Sequence, residues 1–303
     1  MFILSAPRTG SSWLAGTLAR HPDLDVRGHV AHDNYNLYLS QPFLSLNPFA
    51  DDSPHARSVL LGGLSAQWLR WRYRARESGR VLVIATPTSA AYLPLLVRAF
   101  PAARFVHLSR DGLDQVASAS GYLEWVAGDS CYAIARRLWA KSPASALLAV
   151  GGRSFHRWRW LRFAHEGFLV TRPRGFQKAA RHPRLEFLCW YLASTEFQIH
   201  EVLSTLPPGQ RHSCRYETLV GDPGEIGRLT QFLGVSSAPE FLSDFRSSAH
   251  RKGVGRHKNV FDESEIAAVQ QFLENAGLAG KSGFPDREDR EPRAGASISR
   301  KSA

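Results

Sequence analysis

Short apolar runs alternate with longer amphipathic segments along most of the chain. The runs MFILSAP, RVLVIATP and RFVHLSR, which begin at residues 1, 80 and 104, are apolar almost to their ends and predict three buried β-strands. A fourth strand is predicted over RHSCRYETLV, from residue 211. Apolar residues at helical spacing predict helices over 10–22, 59–79, 89–101, 112–126, 185–207, 224–235 and 262–278. Asp262 and Glu265 have the spacing of a capping box at the start of the last helix.

The repeated succession of strand and helix predicts an α/β fold, with a central, mostly parallel sheet flanked by helices on both faces. Ligands of such folds bind at the carboxyl ends of the strands. Residues 23–57 are polar and predict a loop with short helices, and residues 128–184, rich in Arg, Gly and Pro, predict an insertion on the substrate side. We expect one domain over residues 1–280 and a disordered tail over 281–303, where large apolar side chains are few.

Composition and the lengths of the apolar runs limit the classes of protein to which the chain can belong. The chain has 303 residues, 44% of them hydrophobic, which is enough for a sizeable core. No apolar run approaches the roughly 20 residues that span a bilayer, and a strand beginning at residue 2 leaves no room for a signal peptide. We therefore expect a cytoplasmic protein without a transmembrane segment. The oligomeric state is left open, and a homo-oligomer is one of the alternatives.

The three cysteines, Cys131, Cys189 and Cys214, are far apart and form no Cys-x-x-Cys pair. This spacing argues against a disulfide framework or a zinc site and predicts buried, reduced thiols.

The formal net charge is +11, and basic residues are interleaved with aromatic residues over 69–80 and 152–163. Such interleaving can bind nucleic acid through phosphate contacts and stacking. No nucleic-acid motif accompanies these segments, so amphipathic helices with arginines facing water are favoured, and no specific nucleic-acid partner is predicted. The positive field would in any case attract a small polyanion.

The segment after the first strand, Pro7-Arg8-Thr9-Gly10-Ser11-Ser12-Trp13, combines a tight turn, hydroxyl groups and a helix N-terminus. Backbone N–H groups and a positive charge at a helix N-terminus form an anion site. An ordinary capped helix is the alternative, because Thr and Ser are common N-caps. The Gly-Lys-Ser/Thr sequence of a Walker loop is missing, which disfavours a kinase-like use of ATP or GTP with magnesium.

Two further segments contain positively charged residues that could bind a phosphate. Arg110 follows the third strand, and Ser118 lies eight residues later on the next helix, where the two could hold a second phosphate. A surface ion pair of Arg110 with Asp111 or Asp114 is the alternative. The stretch HRKGVGRHKNVF, from residue 250, would alone be a solvated charge run.

Together these segments resemble the nucleotide site of the sulfotransferases that use 3′-phosphoadenosine 5′-phosphosulfate (PAPS). PRTGSSW resembles the family's 5′-phosphosulfate loop, and FVHLSRDGLDQVASAS its 3′-phosphate segment. RKGVGRHKNVF is similar to the Arg-Lys-Gly loop that closes over the nucleotide, although it is one residue shorter after the glycine. RYETLVGDP resembles a stretch whose tyrosine lies near the adenine. The resemblance covers residues 2 to about 260 except 128–184, and it implies the P-loop-NTPase-like sulfotransferase fold.

The resemblance implies roles for individual residues. Arg8 would contact the 5′-phosphate and bridging oxygen, with Pro7, Thr9, Gly10, Ser11 and Ser12 forming the loop and Trp13 stacking near the adenine. The 3′-phosphate clamp would be Arg110, Ser118, Arg251, Lys252 and Gly253, with Tyr216 at the base. The implied reaction transfers a sulfuryl group from PAPS to a hydroxyl or amine of a small-molecule, glycan or lipid acceptor, leaves adenosine 3′,5′-bisphosphate (PAP), and needs no metal.

Two departures from the family patterns concern catalysis. The sequence after the second strand, ATPTSAAY, has Thr86, Thr88 and Ser89 where cytosolic members have a histidine. His29 lies where many bacterial and Golgi-type members have a glutamate, so we predict His29 as the general base, with His32 and then Asp33 as alternatives. Ala85 replaces a lysine that other members use near the phosphosulfate, and Arg8 or an arginine from 152–174 is the hypothesised substitute.

A noncatalytic PAPS- or PAP-binding protein is the main alternative function, because it would keep the clamp without the base and the lysine. The acceptor itself is not determined by the sequence. Aromatic residues flank the expected acceptor side and are consistent with an apolar or ring-bearing substrate, although such residues more often belong to a core. They are Trp125, Trp139, Trp158, Trp160 and Phe168.

Overall fold

The computed structural model describes residues 1–27, 79–85, 89–90, 93–128, 182–248 and 253–275, with positions 73, 77 and 179, and leaves out the side chains of 95, 122–128, 184 and 223. The described part contains five strands, β1 (Phe2–Leu4), β2 (Leu24–Arg27), β3 (Val81–Ala85), β4 (Phe105–Ser109) and β5 (Arg211–Arg215). Its eight α-helices are α1 (Ser11–Leu18), α2 (Leu93–Ala99), α3 (Gly112–Gly128), α4 (Arg184–Ser204), α5 (Tyr216–Gly221), α6 (Pro223–Leu233), α7 (Pro239–Ser248) and α8 (Glu263–Asn275).

The strands form one sheet in the order β2-β3-β1-β4-β5, and every pairing is parallel. The first strand lies at the centre, with Phe2 aligned with Ile84 of β3 and with Phe105 of β4. All strands therefore end at the same edge of the sheet, and the segments that follow β1, β4 and β5 lie side by side there. The predicted parallel α/β architecture is confirmed.

Side chains of β1, β3 and β4 alternate between two hydrophobic clusters, as expected for a sheet covered on both faces. Phe2 and Leu4 pack with residues of α2 and α4, whereas Ile3 packs with residues of α1, α6 and α7. A third cluster joins α3, α4 and α8 beside the sheet. Helices therefore cover both faces of the sheet.

Three local predictions were wrong. The segment Leu24–Arg27, predicted as loop, forms the strand β2, which lies at the edge of the described sheet and pairs with β3. The strand predicted over RHSCRYETLV ends at Arg215, and α5 begins at Tyr216. The helix Pro239–Ser248 was not predicted at all, although Phe241 and Phe245 bury an apolar face. Each element is short, and its partner lies far away in sequence, so periodicity alone gives little signal.

The helix caps follow the sequence more closely. The Asp262 carboxylate accepts a hydrogen bond from the Glu265 N–H at 2.8 Å, and the Glu265 carboxylate accepts one from the Asp262 N–H at 3.2 Å. The capping box at the start of α8 is therefore confirmed. Among the described residues, no helix has the length and hydropathy needed to cross a membrane.

Cys189 and Cys214 are buried free thiols, as predicted, and Cys131 lies outside the described residues. Burial raises the pKa of Cys189 from 9.0 to about 12 and raises that of Cys214 as well. Because the thiolate is the reactive form, the shift at Cys189 lowers its reactive fraction by about three orders of magnitude.

We expect a Cys131→Ser variant to show no thiol that reacts within minutes with Ellman's reagent at pH 8. Unfolding in guanidinium chloride should then release both remaining thiols, because their pKa values return to the ordinary range. Rapid labelling of the folded variant would show that the α4 or β5 thiol is accessible.

Candidate functional site

Four hydrogen bonds fix the loop between β1 and α1 (residues 5–10, the β1–α1 loop). The Thr9 hydroxyl donates to the Ala6 carbonyl at 3.1 Å, and the Gln115 side-chain amide donates to the Pro7 carbonyl at 2.8 Å. The Arg110 guanidinium donates to the Arg8 carbonyl at 2.9 Å, and the Ala6 N–H donates to Glu196 at 3.3 Å. The backbone groups of the loop are therefore held by side chains from two helices, α3 and α4, and from the end of the neighbouring strand β4.

The N-terminus of α1 has the properties of an anion site. Gly10 is its N-cap residue, no side chain caps the helix, and the first turn contains no acidic residue. The N–H groups of the first turn and the helix dipole are thus not neutralised by a local carboxylate. Ser12 is exposed beside them, whereas Ser11 is buried.

Two backbone conformations give the β1–α1 loop its shape. Gly10 has φ +99°, and Arg8 has φ +70°, which makes it the one non-glycine residue with positive φ in the described part of the chain. A positive φ costs a non-glycine residue about 1–2 kcal/mol. Strain of this kind often lies at functional sites, where the surrounding contacts maintain it.

Arg110, at the end of β4, links the β1–α1 loop to a segment near the carboxyl end of the chain. Its guanidinium donates to the carbonyls of Arg8 and Gly253 and lies 5.1 Å above the Tyr216 ring. Its Nε is buried and has no hydrogen-bond partner among the described residues. The alternative of a surface ion pair with Asp111 or Asp114 is wrong, because Arg110 contacts backbone carbonyls instead.

Tyr216, at the start of α5, packs against several residues of the site. Its ring meets Trp13 edge to face at 5.4 Å between centroids, and a Cβ added at Gly10 would lie 2.6 Å from its Cδ2 atom. A Cβ at Gly253 would lie 3.2 Å from its hydroxyl oxygen. Burial is the largest cause that raises the pKa of Tyr216, so the phenol is neutral and able to donate at neutral pH.

Ser118 and Arg8 bring the two predicted anion sites together. Arg8 is exposed, and its Nε donates to the Ser118 hydroxyl at 3.2 Å, although 110 residues separate them. Ser118 is almost fully buried on α3, one turn beyond Asp114. The residues predicted for the 5′-phosphosulfate loop and those predicted for the 3′-phosphate clamp therefore adjoin.

Asp114 anchors the segment that follows Gly253. Its carboxylate accepts hydrogen bonds from the Gly255 N–H at 2.7 Å and from the N–H and Nδ1 of His257 at 3.0 and 2.7 Å. Asp111, Asp114 and His257 offer ligand atoms within 4.8 Å of one another, the only such cluster found among the described residues. Both Asp114 oxygens already accept these bonds, so the cluster is an anchor for the segment.

Several predicted residues cannot be placed. His29, His32, Asp33, Arg251 and Lys252 lie outside the described residues, as do Thr86 and Thr88 and most of 128–184. Of the predicted acceptor-side aromatics, Trp125 is on α3 without a described side chain, and Trp139, Trp158, Trp160 and Phe168 are not described.

Two other predicted positions are buried. Ser89 is 4% exposed, and Ala85 is fully buried in the cluster that contains Leu14 and Ala15. Ala85 thus contributes packing at the end of β3.

Sequence reasoning missed three polar residues that hold the site, namely Gln115, Glu196 and Asp114 as a backbone anchor. All three are at least 94% buried. A usable signal was present for Glu196, which interrupts the apolar stripe Leu192, Ile199 and Leu203 at helical spacing. A charged residue within such a stripe needs a buried partner.

Comparisons with known proteins bear on the family and the fold. Residues 1–139 match the profile of the sulfotransferase family. The amino-terminal part of the chain is therefore similar to the sulfotransferase family. A search of curated proteins found no match for the chain.

A solved sulfotransferase structure extends the likeness to most of the chain. The sulfotransferase domain from the curacin biosynthetic pathway is 18% identical, with a TM-score of 0.50 over 90% of this chain and 96% of that domain. A sulfotransferase domain from the olefin synthase of Synechococcus PCC 7002 is 16% identical, with a TM-score of 0.49 over 90% of this chain and 93% of that domain. At this identity the first likeness shows the fold, so the chain has the sulfotransferase fold predicted from its motifs.

Proposed function

We propose that the protein is a sulfotransferase that moves the sulfuryl group of PAPS to a hydroxyl or amine of a small-molecule, glycan or lipid acceptor. The observation that carries this proposal is the convergence of Arg8, Arg110 and the uncapped N-terminus of α1 at the carboxyl edge of the sheet. Fixed cationic and backbone donors at this edge suit a ligand with separate phosphate groups.

The residues fit a doubly phosphorylated adenosine. The first-turn N–H groups of α1 and the Arg8 guanidinium would hold the 5′-phosphosulfate. The Nε of Arg110, which has no partner among the described residues, fits an anionic hydrogen-bond acceptor such as a phosphate oxygen, because a buried donor is normally hydrogen-bonded. Ser118 would complete the 3′-phosphate site with Gly253, and Arg251 and Lys252 are proposed to join them from beyond the described residues.

The donor supplies an activated sulfuryl group: its S–O bond to the 5′-phosphate breaks as an S–O bond to an acceptor hydroxyl, or an S–N bond to an acceptor amine, forms, and the acceptor proton leaves to a base. Arg8 would stabilise the charge that develops on the 5′-phosphate side. Its strained backbone and its bond to Ser118 orient the guanidinium in advance. His29 remains the proposed base, with His32 and Asp33 as the alternatives.

A noncatalytic PAPS- or PAP-binding protein is the second candidate, favoured by the complete burial of Ala85. Ala85 lies among apolar side chains, so this position supplies no cation to the site. Both candidates bind PAP, but only the enzyme consumes PAPS.

The test is PAPS turnover in the presence of an acceptor library, compared between the wild type and Arg8→Ala. We expect kcat to fall by about 10²- to 10³-fold in the variant, the usual loss when one transition-state donor is removed. Arg20→Ala is the matched control, because Arg20 is an exposed arginine just beyond the far end of α1.

Unchanged turnover in Arg8→Ala would remove Arg8 from the mechanism. PAP binding without PAPS consumption by the wild type would favour the noncatalytic candidate. A wild type that binds neither nucleotide would overturn the proposal.

A further inference from the structure

A buried carboxylate lies directly behind the β1–α1 loop. Glu196 is on α4, 6% exposed, and its two oxygens have different partners. Oε1 accepts a hydrogen bond from the Ala6 N–H at 3.3 Å, and Oε2 lies 2.6 Å from Nε2 of His107 on β4. His107 is 4% exposed, so the pair is almost fully removed from water.

The Ala6 N–H lies at the entry of the β1–α1 loop. It is the last backbone donor before Pro7, which has no N–H, and the Arg8 backbone with positive φ follows at once. The carbonyls of Ala6, Pro7 and Arg8 are held by Thr9, Gln115 and Arg110. Glu196 supplies the remaining restraint at the entry of the loop.

Packing alone does not explain a glutamate at this position. Its neighbours along the same helix face are apolar, and Leu192, Ile199 and Leu203 are each at most 4% exposed. Removing a carboxylate from water is costly, and well-packed apolar replacements of buried ion pairs are often equally stable or more stable. A role that an apolar residue cannot perform is accepting the hydrogen bond from the loop.

We propose that Glu196, oriented by His107, is a positioning residue that sets the entry of the β1–α1 loop and thereby aligns its donors for the nucleotide. This inference rests on the proposed function for the identity of the ligand, but the contact with the Ala6 N–H does not. Glu196 acts through the loop and touches no reacting atom.

The experiment measures PAP affinity by calorimetry and exchange of the Ala6 amide hydrogen by NMR, in the full chain. Glu196→Leu keeps the size and suits the apolar surroundings, but it leaves the buried His107 ring without its partner, so the melting temperature should fall. In protein that is still folded at the temperature of measurement, we expect about tenfold weaker PAP binding and at least tenfold faster exchange at Ala6.

Two further variants separate positioning from general stability. Glu196→Gln keeps an oxygen acceptor for the Ala6 N–H and should recover most of the affinity and protection. Glu201→Ala removes an exposed carboxylate from the same helix and should change neither readout.

Wild-type affinity and wild-type Ala6 protection in Glu196→Leu would overturn the inference, whatever its melting temperature. If the wild type itself does not bind PAP, the proposed function fails, and faster Ala6 exchange in Glu196→Leu still supports the positioning of the loop. Failure of Glu196→Gln to recover either readout would also count against it.

Discussion

Replacing Arg110 by alanine is expected to weaken PAP binding by at least about 100-fold. A hydrogen bond to a charged group contributes about 1.5–3 kcal/mol, and a guanidinium can make two such bonds to one phosphate. The change would also leave the carbonyls of Arg8 and Gly253 without their donor, so the β1–α1 loop and the 253–259 segment would both lose a restraint. Isothermal calorimetry at low salt measures the effect directly.

Two variants sharpen this prediction. Arg110→Lys keeps the charge but loses the planar fork, so an affinity between those of the wild type and the alanine variant is expected. Arg98→Ala removes an exposed arginine from α2 and controls for the loss of net charge. PAP affinity within threefold of the wild type in a folded Arg110→Ala would show that Arg110 is no phosphate ligand.

Gly10→Ala is expected to damage both stability and nucleotide binding. The new Cβ would lie 2.6 and 2.8 Å from two atoms of the Tyr216 ring, and the backbone has φ +99°. Overpacking of this kind costs about 1–3 kcal/mol, and the conformation adds about 1–2 kcal/mol. Relief requires the ring to move away from Trp13 and Arg110, and PAP affinity should therefore fall by tenfold or more.

Gly16→Ala is the matched control for this variant. Gly16 lies within α1, the helix whose N-cap is Gly10, and a Cβ there would meet nothing within 4 Å. Alanine in a helix interior is more stable than glycine by about 0.5–1 kcal/mol, so this variant should melt slightly higher than the wild type. Equal melting temperatures for the Gly10 and Gly16 variants would contradict the close packing of Tyr216 on the loop.

The elements that the sequence predicted well are those with a strong local pattern. The three apolar runs became β1, β3 and β4, and the box of Asp262 and Glu265 caps α8. The edge strand β2 and helix α7 were missed, because four or ten residues with few apolar positions do not reveal partners that lie elsewhere in the chain.

The candidate site divides in the same way. The residue types of PRTGSSW and the spacing of Arg110 and Ser118 were sufficient to suggest two anion sites, since turn residues, hydroxyls and arginines have recognisable local patterns. Arg8 contacts Ser118, and the Tyr216 ring packs against Gly10. Each contact joins residues more than 100 positions apart. No periodicity or spacing encodes such pairs.

By itself, the sequence determined the succession of strands and helices and the chemistry at the end of each strand, because hydrophobic period and residue type act over a few neighbours. Only the tertiary structure decided the order of the strands, which places β1 between β3 and β4 and so brings the β1–α1 loop beside Arg110. It also decided that Glu196 and Asp114 serve as anchors. A buried carboxylate is stable only where it accepts hydrogen bonds, and here the donors are distant in the sequence. Those contacts exist only after the chain has folded.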